Sequence, residues 1–125
     1  MQDFQNMFSE LFDLEDPMDK YDWIIEYGAA AQQVSPSIEK TDINLVHGCT
    51  SKLWVSKVQD VFSCYGESLI VQGISSMICA WYNQASIKQQ QDFSLNTLTN
   101  IGLAPLLSMG RQNGVANLIA KIKTL

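Results

Sequence analysis

Cys49 lies in the middle of a short polar segment, residues 47–52, between two β-favouring runs at 43–46 and 53–58. A thiol so placed is expected on a turn and not packed into an apolar face. Thiolates attack the sulfur of disulfides and persulfides, so a cysteine with that task must be reachable, free to move and partly ionised. Gly48 allows a sharp bend and a close approach by another molecule. Thr50 and Ser51 keep the turn polar, and Lys52 is the one nearby fixed cation, able to favour the thiolate modestly. The chemistry this pattern suggests is that of a reachable nucleophilic thiol at Cys49, suited to sulfur exchange.

The other candidates are weaker. Cys64 alternates within a strand-like run and Cys79 sits in a long apolar segment, so both are expected to be packing residues. His47, the single histidine, is a candidate for partner contact or for assisting the thiol, although a polar surface role explains it first. Trp54 is expected beneath the turn as core. Arg111 is a candidate partner contact or helix-end residue.

The elements that would hold Cys49 in place follow from periodicity. Phe4, Met7, Phe8, Leu11 and Phe12 recur at helical spacing, giving an amphipathic first helix with a core-facing aromatic stripe. Asp16-Pro17 caps and opens a second helix, reaching Gly28 or Ala31. Residues 32–41 contain Ser35-Pro36-Ser37 and read as a surface connection. Three strands are expected, at 43–46, 53–59 and 61–65. Gln59-Asp60 forms a tight turn between the last two, so the pairing is antiparallel. Ser68 caps a long apolar helix, the buried centre of the fold. A brief polar segment, 86–91, precedes a helix around Leu95, Leu98, Ile101 and Leu106 that breaks near Gly102–Pro105. Residues 112–123 form a last helix with lysines in its final turn. Helices, a small three-stranded antiparallel sheet and further helices make an α+β layout.

Composition sets outer bounds. The chain has 125 residues, suited to a single domain (1–125), and 46% of them are hydrophobic, enough for a real core. A net charge of −5 and a pI near 4.6 argue against nucleic-acid binding, which needs a basic patch. Eight acids face one base, Lys20, across the first 26 residues, a pattern explained by helix-end charge preference and solubility. No apolar run approaches the ~18 residues of a membrane span. The first residues lack the basic and apolar regions of a secretory signal. Three unpaired cysteines make a disulfide framework improbable, so a cytoplasmic, reducing setting is expected.

Around Cys49 the chain resembles the SufE family, the sulfur-acceptor proteins of iron–sulfur cluster assembly. The residues that carry the likeness are Asn44, Val46, Gly48, Cys49, Ser51 and Trp54. Tyr21, Ile24, Ile25, Glu26 and Gly28 match the family's second helix, and Arg111, Asn113, Gly114 and Ile119 match the opening of its last. Asp42 stands about where the family has a proline, and His47 where it commonly has Gln or Glu. The likeness implies a SufE/IscU-like fold. It also implies that Cys49 accepts sulfur from the persulfide of a cysteine desulfurase, stimulates that pyridoxal phosphate enzyme and passes sulfur to a downstream cluster-building scaffold. Gly48, Ser51 and Lys52 would support the loop. The chain itself would need no cofactor or metal. Cys49 is expected to tuck against the core when the protein is free and to swing out on docking.

Two other functions compete. A metal or cluster scaffold would draw on Cys49, Cys64, Cys79 and His47, although no C-x-x-C pair exists. A non-carrying adaptor would activate a desulfurase without taking sulfur. A stand-alone enzyme lacks support: there is no nucleophile elbow, P-loop or Rossmann glycine pattern.

Overall fold

The computed structural model describes residues 3–34 and 38–125. The aromatic stripe near the N-terminus is buried as its spacing predicts, with Phe4, Phe8 and Leu11 in the core. The segment is not one helix, however. It forms two single turns, α1 (Phe4–Met7) and α2 (Ser9–Phe12), separated at Phe8. The Phe8 ring meets Phe4 on one side and Trp23 and Tyr27 on the other.

Asp16 then opens α3 (Pro17–Val34), its carboxylate accepting from the Met18 N–H at 2.8 Å. The helix runs beyond its expected end, into the stretch read as a connection. Of that stretch, Ser35, Pro36 and Ser37 lie outside the described residues.

Only two strands form among the described residues, β1 (Leu53–Val58) and β2 (Val61–Gly66), paired antiparallel with Val55 opposite Cys64. The expected third strand at 43–46 is reduced to one bridge, Leu45 to Trp54. The reason is local. The Thr41 carbonyl accepts from the N–H groups of both Asn44 and Leu45, which turns the chain, and the Asn44 side chain donates to the Glu39 carbonyl. Asn side chains offer the backbone such alternatives to a strand ladder. Ile43 is left 84% exposed at the tip of that turn. The hairpin turn does form without glycine: Gln59 and Asp60 both take positive φ, 51° and 64°, as a two-residue primed turn requires.

The long apolar segment becomes α4 (Leu69–Gln84), capped by Ser68 and buried along most of its length. It packs against β2 on one side and α3 on the other. The α3 approach is backbone-close: a Cβ on Gly28 would lie 2.7 Å from the Gly73 Cα, and one on Gly73 would overlap the Ile24 carbonyl. Two amides from α4 cover the open edge of β2. Asn83 accepts from the Phe62 N–H at 2.7 Å and donates to its carbonyl at 3.1 Å, while Gln72 accepts from the Gly66 N–H. Short helices α5 (Ile87–Asp92) and α6 (Leu95–Asn100) and a 3₁₀ turn at Ala104–Leu106 lead to α7 (Met109–Ile122). Helix α7 packs against α4, α6 and β1. The layout is α+β, as expected, with the sheet one strand smaller. No helix among the described residues is long and apolar enough to cross a membrane.

Candidate functional site

Residues 46–52 leave the sheet, cross α7 and return. Each end is tied by a backbone hydrogen bond. The Val46 N–H donates to the Leu53 carbonyl at 2.8 Å, and the Glu67 N–H donates to the Lys52 carbonyl at 3.0 Å. Between these anchors the segment has no regular structure. Gly48 bends it with φ = +85°, a conformation that favours glycine.

The segment is seated on one face of α7, where Gly110, Gly114 and Asn117 follow at i, i+4 and i+7. Thr50 lies over Gly110, and Cys49 lies over Gly114. A Cβ at 110 would overlap the Thr50 methyl, and one at 114 would overlap Cys49 Sγ. Asn117 Nδ2 donates to the His47 carbonyl at 2.8 Å. Glycine inside a helix costs about 1 kcal/mol relative to alanine, and at 114 that cost is offset by room for a sulfur atom.

Cys49 is therefore not displayed openly on its turn. It is half-buried and packs against the core. Burial pushes its thiol above the ordinary range, because the anion loses water without gaining a partner. Lys52 is exposed and does not offset this, so the expected help from its charge is absent in this arrangement. Ser51 lies beside Lys52 in the same segment, partly buried.

The remaining candidates separate cleanly. The His47 side chain is exposed, and its part in the loop is played by its backbone carbonyl. Arg111 is in the first turn of α7, one residue after the glycine under Thr50, with its N–H donating to the capping Ser108 hydroxyl at 3.4 Å. Trp54 is buried, but unlike its neighbours Leu53 and Val55 it stands outside the main core cluster. Its ring and that of Tyr65 carry the Lys40 ammonium, 5.7 and 3.8 Å from the two centroids.

Cys64 and Cys79 are buried, as their positions in the sequence imply. They adjoin one another beside a cleft of about 360 Å³ bounded also by Tyr27, Ser76 and Asn83. The contact with Cys64 and deep burial push the Cys79 thiol well up, so it is an inert group and not a reactive one. Among the described residues no three side chains of His, Cys, Asp or Glu are placed to share a metal ion. The donor set of the scaffold alternative is thus not assembled.

Sequence reasoning missed the part of Asn117 and Gly110. A signal was present: two glycines and a short amide at i, i+4 and i+7 inside a helix mark a face where another backbone comes close.

Comparison with known proteins gives the family. Residues 5–125 match the family model described as "SufE: Fe-S metabolism associated domain". An uncharacterized SufE-like protein of Rhizobium meliloti (strain 1021) is 29% identical over 121 residues, covering 89% of this chain and 85% of that protein. One from Rhizobium etli is 28% identical over 121 residues, covering 88% and 80%. The SufE-like protein 1, chloroplastic/mitochondrial, of Arabidopsis thaliana is 23% identical over 111 residues, covering 85% of this chain but 30% of its own length.

Proposed function

The chain belongs to the SufE family, whose domain is associated with iron–sulfur metabolism, and we propose that within it Cys49 is the sulfur acceptor from a cysteine desulfurase. The observation that carries this reading is the seat of Cys49: a half-buried thiol in a segment without regular structure, whose hydrogen bonds to other elements, among the described residues, are at its two ends and from Asn117.

In the proposed transfer the Cys49 thiolate attacks the outer sulfur of the partner's persulfide. A new S–S bond forms on Cys49, the partner's S–S bond breaks, and the partner's cysteine leaves as a thiolate. Cys49 then holds the sulfur as a persulfide, a reversible cap that a downstream scaffold's thiol can remove. The raised thiol pKa suits the resting state, since a protonated, half-buried sulfur reacts slowly with stray electrophiles. Docking that lifts the loop from α7 would return water to the sulfur and lower that pKa, so activation would accompany delivery. Gly48 supplies the bend, the partly buried Ser51 and the exposed Lys52 the flank, and His47 and Arg111 are the polar groups a partner would meet first. Pyridoxal phosphate chemistry belongs to the desulfurase, and this chain acts as its substrate and stimulator. An odd number of cysteines with no close pair in sequence suits a reducing compartment such as the cytoplasm.

The competing adaptor reading keeps the docking and drops the thiol chemistry. Desulfurase turnover measured with wild type and with Cys49→Ala separates them. The carrier reading expects stimulation by the variant to fall at least about tenfold, the loss of a nucleophile having no substitute. Full stimulation by Cys49→Ala would leave only the adaptor.

A further inference from the structure

We propose that Asn117 is the latch that keeps the Cys49 loop closed on α7, a positioning residue for sulfur acceptance that acts through the backbone of His47. The inference rests on the reading of Cys49 as the acceptor and adds a control on that site.

Three contacts hold residues 47–50 on the helix. Two are van der Waals seats, Thr50 on Gly110 and Cys49 on Gly114. The third is directional, Asn117 Nδ2 to the His47 carbonyl at 2.8 Å, joining groups 70 residues apart in sequence. Among the described residues no other hydrogen bond ties 47–51 to a different element. Asn117 also lies directly against Gly48: a Cβ there would overlap Nδ2. The amide thus bonds the peptide on one side of the left-handed residue and packs against that residue itself, which fixes the bend. The three α7 positions span seven residues, about 10 Å of helix at 1.5 Å per residue. Release at the Asn117 end therefore lets the segment peel off toward Cys49.

The latch is exposed to solvent, and this suits a device meant to open. Water competes with the amide for the His47 carbonyl, so the closed state is favoured by a modest margin. An approaching partner can satisfy the same carbonyl without stranding a buried group. Opening of this kind, a small sub-global excursion, sets how often Cys49 is reachable.

The test compares wild type with Asn117→Ala and Asn117→Asp in the free, full-length protein, with no desulfurase present. Asp preserves size and has no N–H to donate when ionised. Iodoacetamide labelling is followed by peptide mass, cysteine by cysteine, across pH. Both variants are expected to label Cys49 roughly two- to tenfold faster, the range of one net hydrogen bond. In Asn117→Ala the midpoint of the Cys49 pH–rate profile should move down as the sulfur regains water, while labelling of Cys64 and Cys79 stays unchanged and the melting temperature falls by no more than the few degrees one hydrogen bond accounts for. Wild-type rates in both variants, with a wild-type midpoint in Asn117→Ala, would overturn the latch. So would a rise at Cys49 matched by rises at Cys64 and Cys79, which would mean general loosening. Because no sulfur donor is present, this result is independent of whether Cys49 accepts sulfur.

Discussion

Gly114 and Cys49 act as a matched pair, since each occupies the space the other leaves. In an ordinary helix Gly→Ala gains about 1 kcal/mol. At 114 the new methyl meets Sγ, and overpacking costs typically about 1–3 kcal/mol. Gly114→Ala in the wild-type background should therefore bring no gain in the urea midpoint, and it should speed alkylation of Cys49. With Cys49→Ala already present, the same substitution should recover much of the helix gain, giving a coupling of about 1 kcal/mol or more in a double-mutant cycle. Additive effects would show that the two residues do not share the seat. Sequence made half of this pair legible: the polar residues around Cys49 and the bend at Gly48 marked it as the candidate thiol. The other half was hidden, because which helix face lies beneath a loop depends on packing between residues 65 positions apart. The expectation that Cys49 stays off the apolar face failed for that reason, as did the expected help from Lys52, while its half-buried position agrees with the expected tuck against the core in the free protein.

At the scale of elements, the site rests on a stack in which α3 packs on α4, α4 on β2, and β1 and α4 on α7. The tightest joint is Gly28 against Gly73, where the helix backbones nearly touch. Gly73→Ala should cost about 2–3 kcal/mol by overpacking, since the obstacle is the Ile24 carbonyl and backbone cannot step aside like a side chain. Chemical denaturation reads this directly, and a midpoint equal to wild type would contradict the close crossing. Most elements were legible because their apolar spacing is long and regular, α4 above all. The third strand was misread because Ile43 to Val46 has the composition of a strand, while Asn44 uses its side chain to turn the chain instead. The first helix was misread as continuous because spacing reports which face is buried and says little about whether the turn between Met7 and Ser9 holds.

For the whole molecule, the acid-rich first 26 residues and the cysteine loop are separated in sequence by the rest of α3, and the hairpin and α4 follow the loop. Cys64 and Cys79 are enclosed by that core, which leaves Cys49 as the thiol a partner can reach. The fold thus separates two buried thiols from a half-buried one, and the central proposal is that the half-buried one carries sulfur. Intact-mass spectrometry of the protein after incubation with a cysteine desulfurase and free cysteine tests it most directly. The account predicts a gain of about 32 Da, one sulfur held as a persulfide on Cys49, reversed by a thiol reductant and absent in Cys49→Ser. An unchanged mass in the wild type, or the same gain in Cys49→Ser, would contradict it.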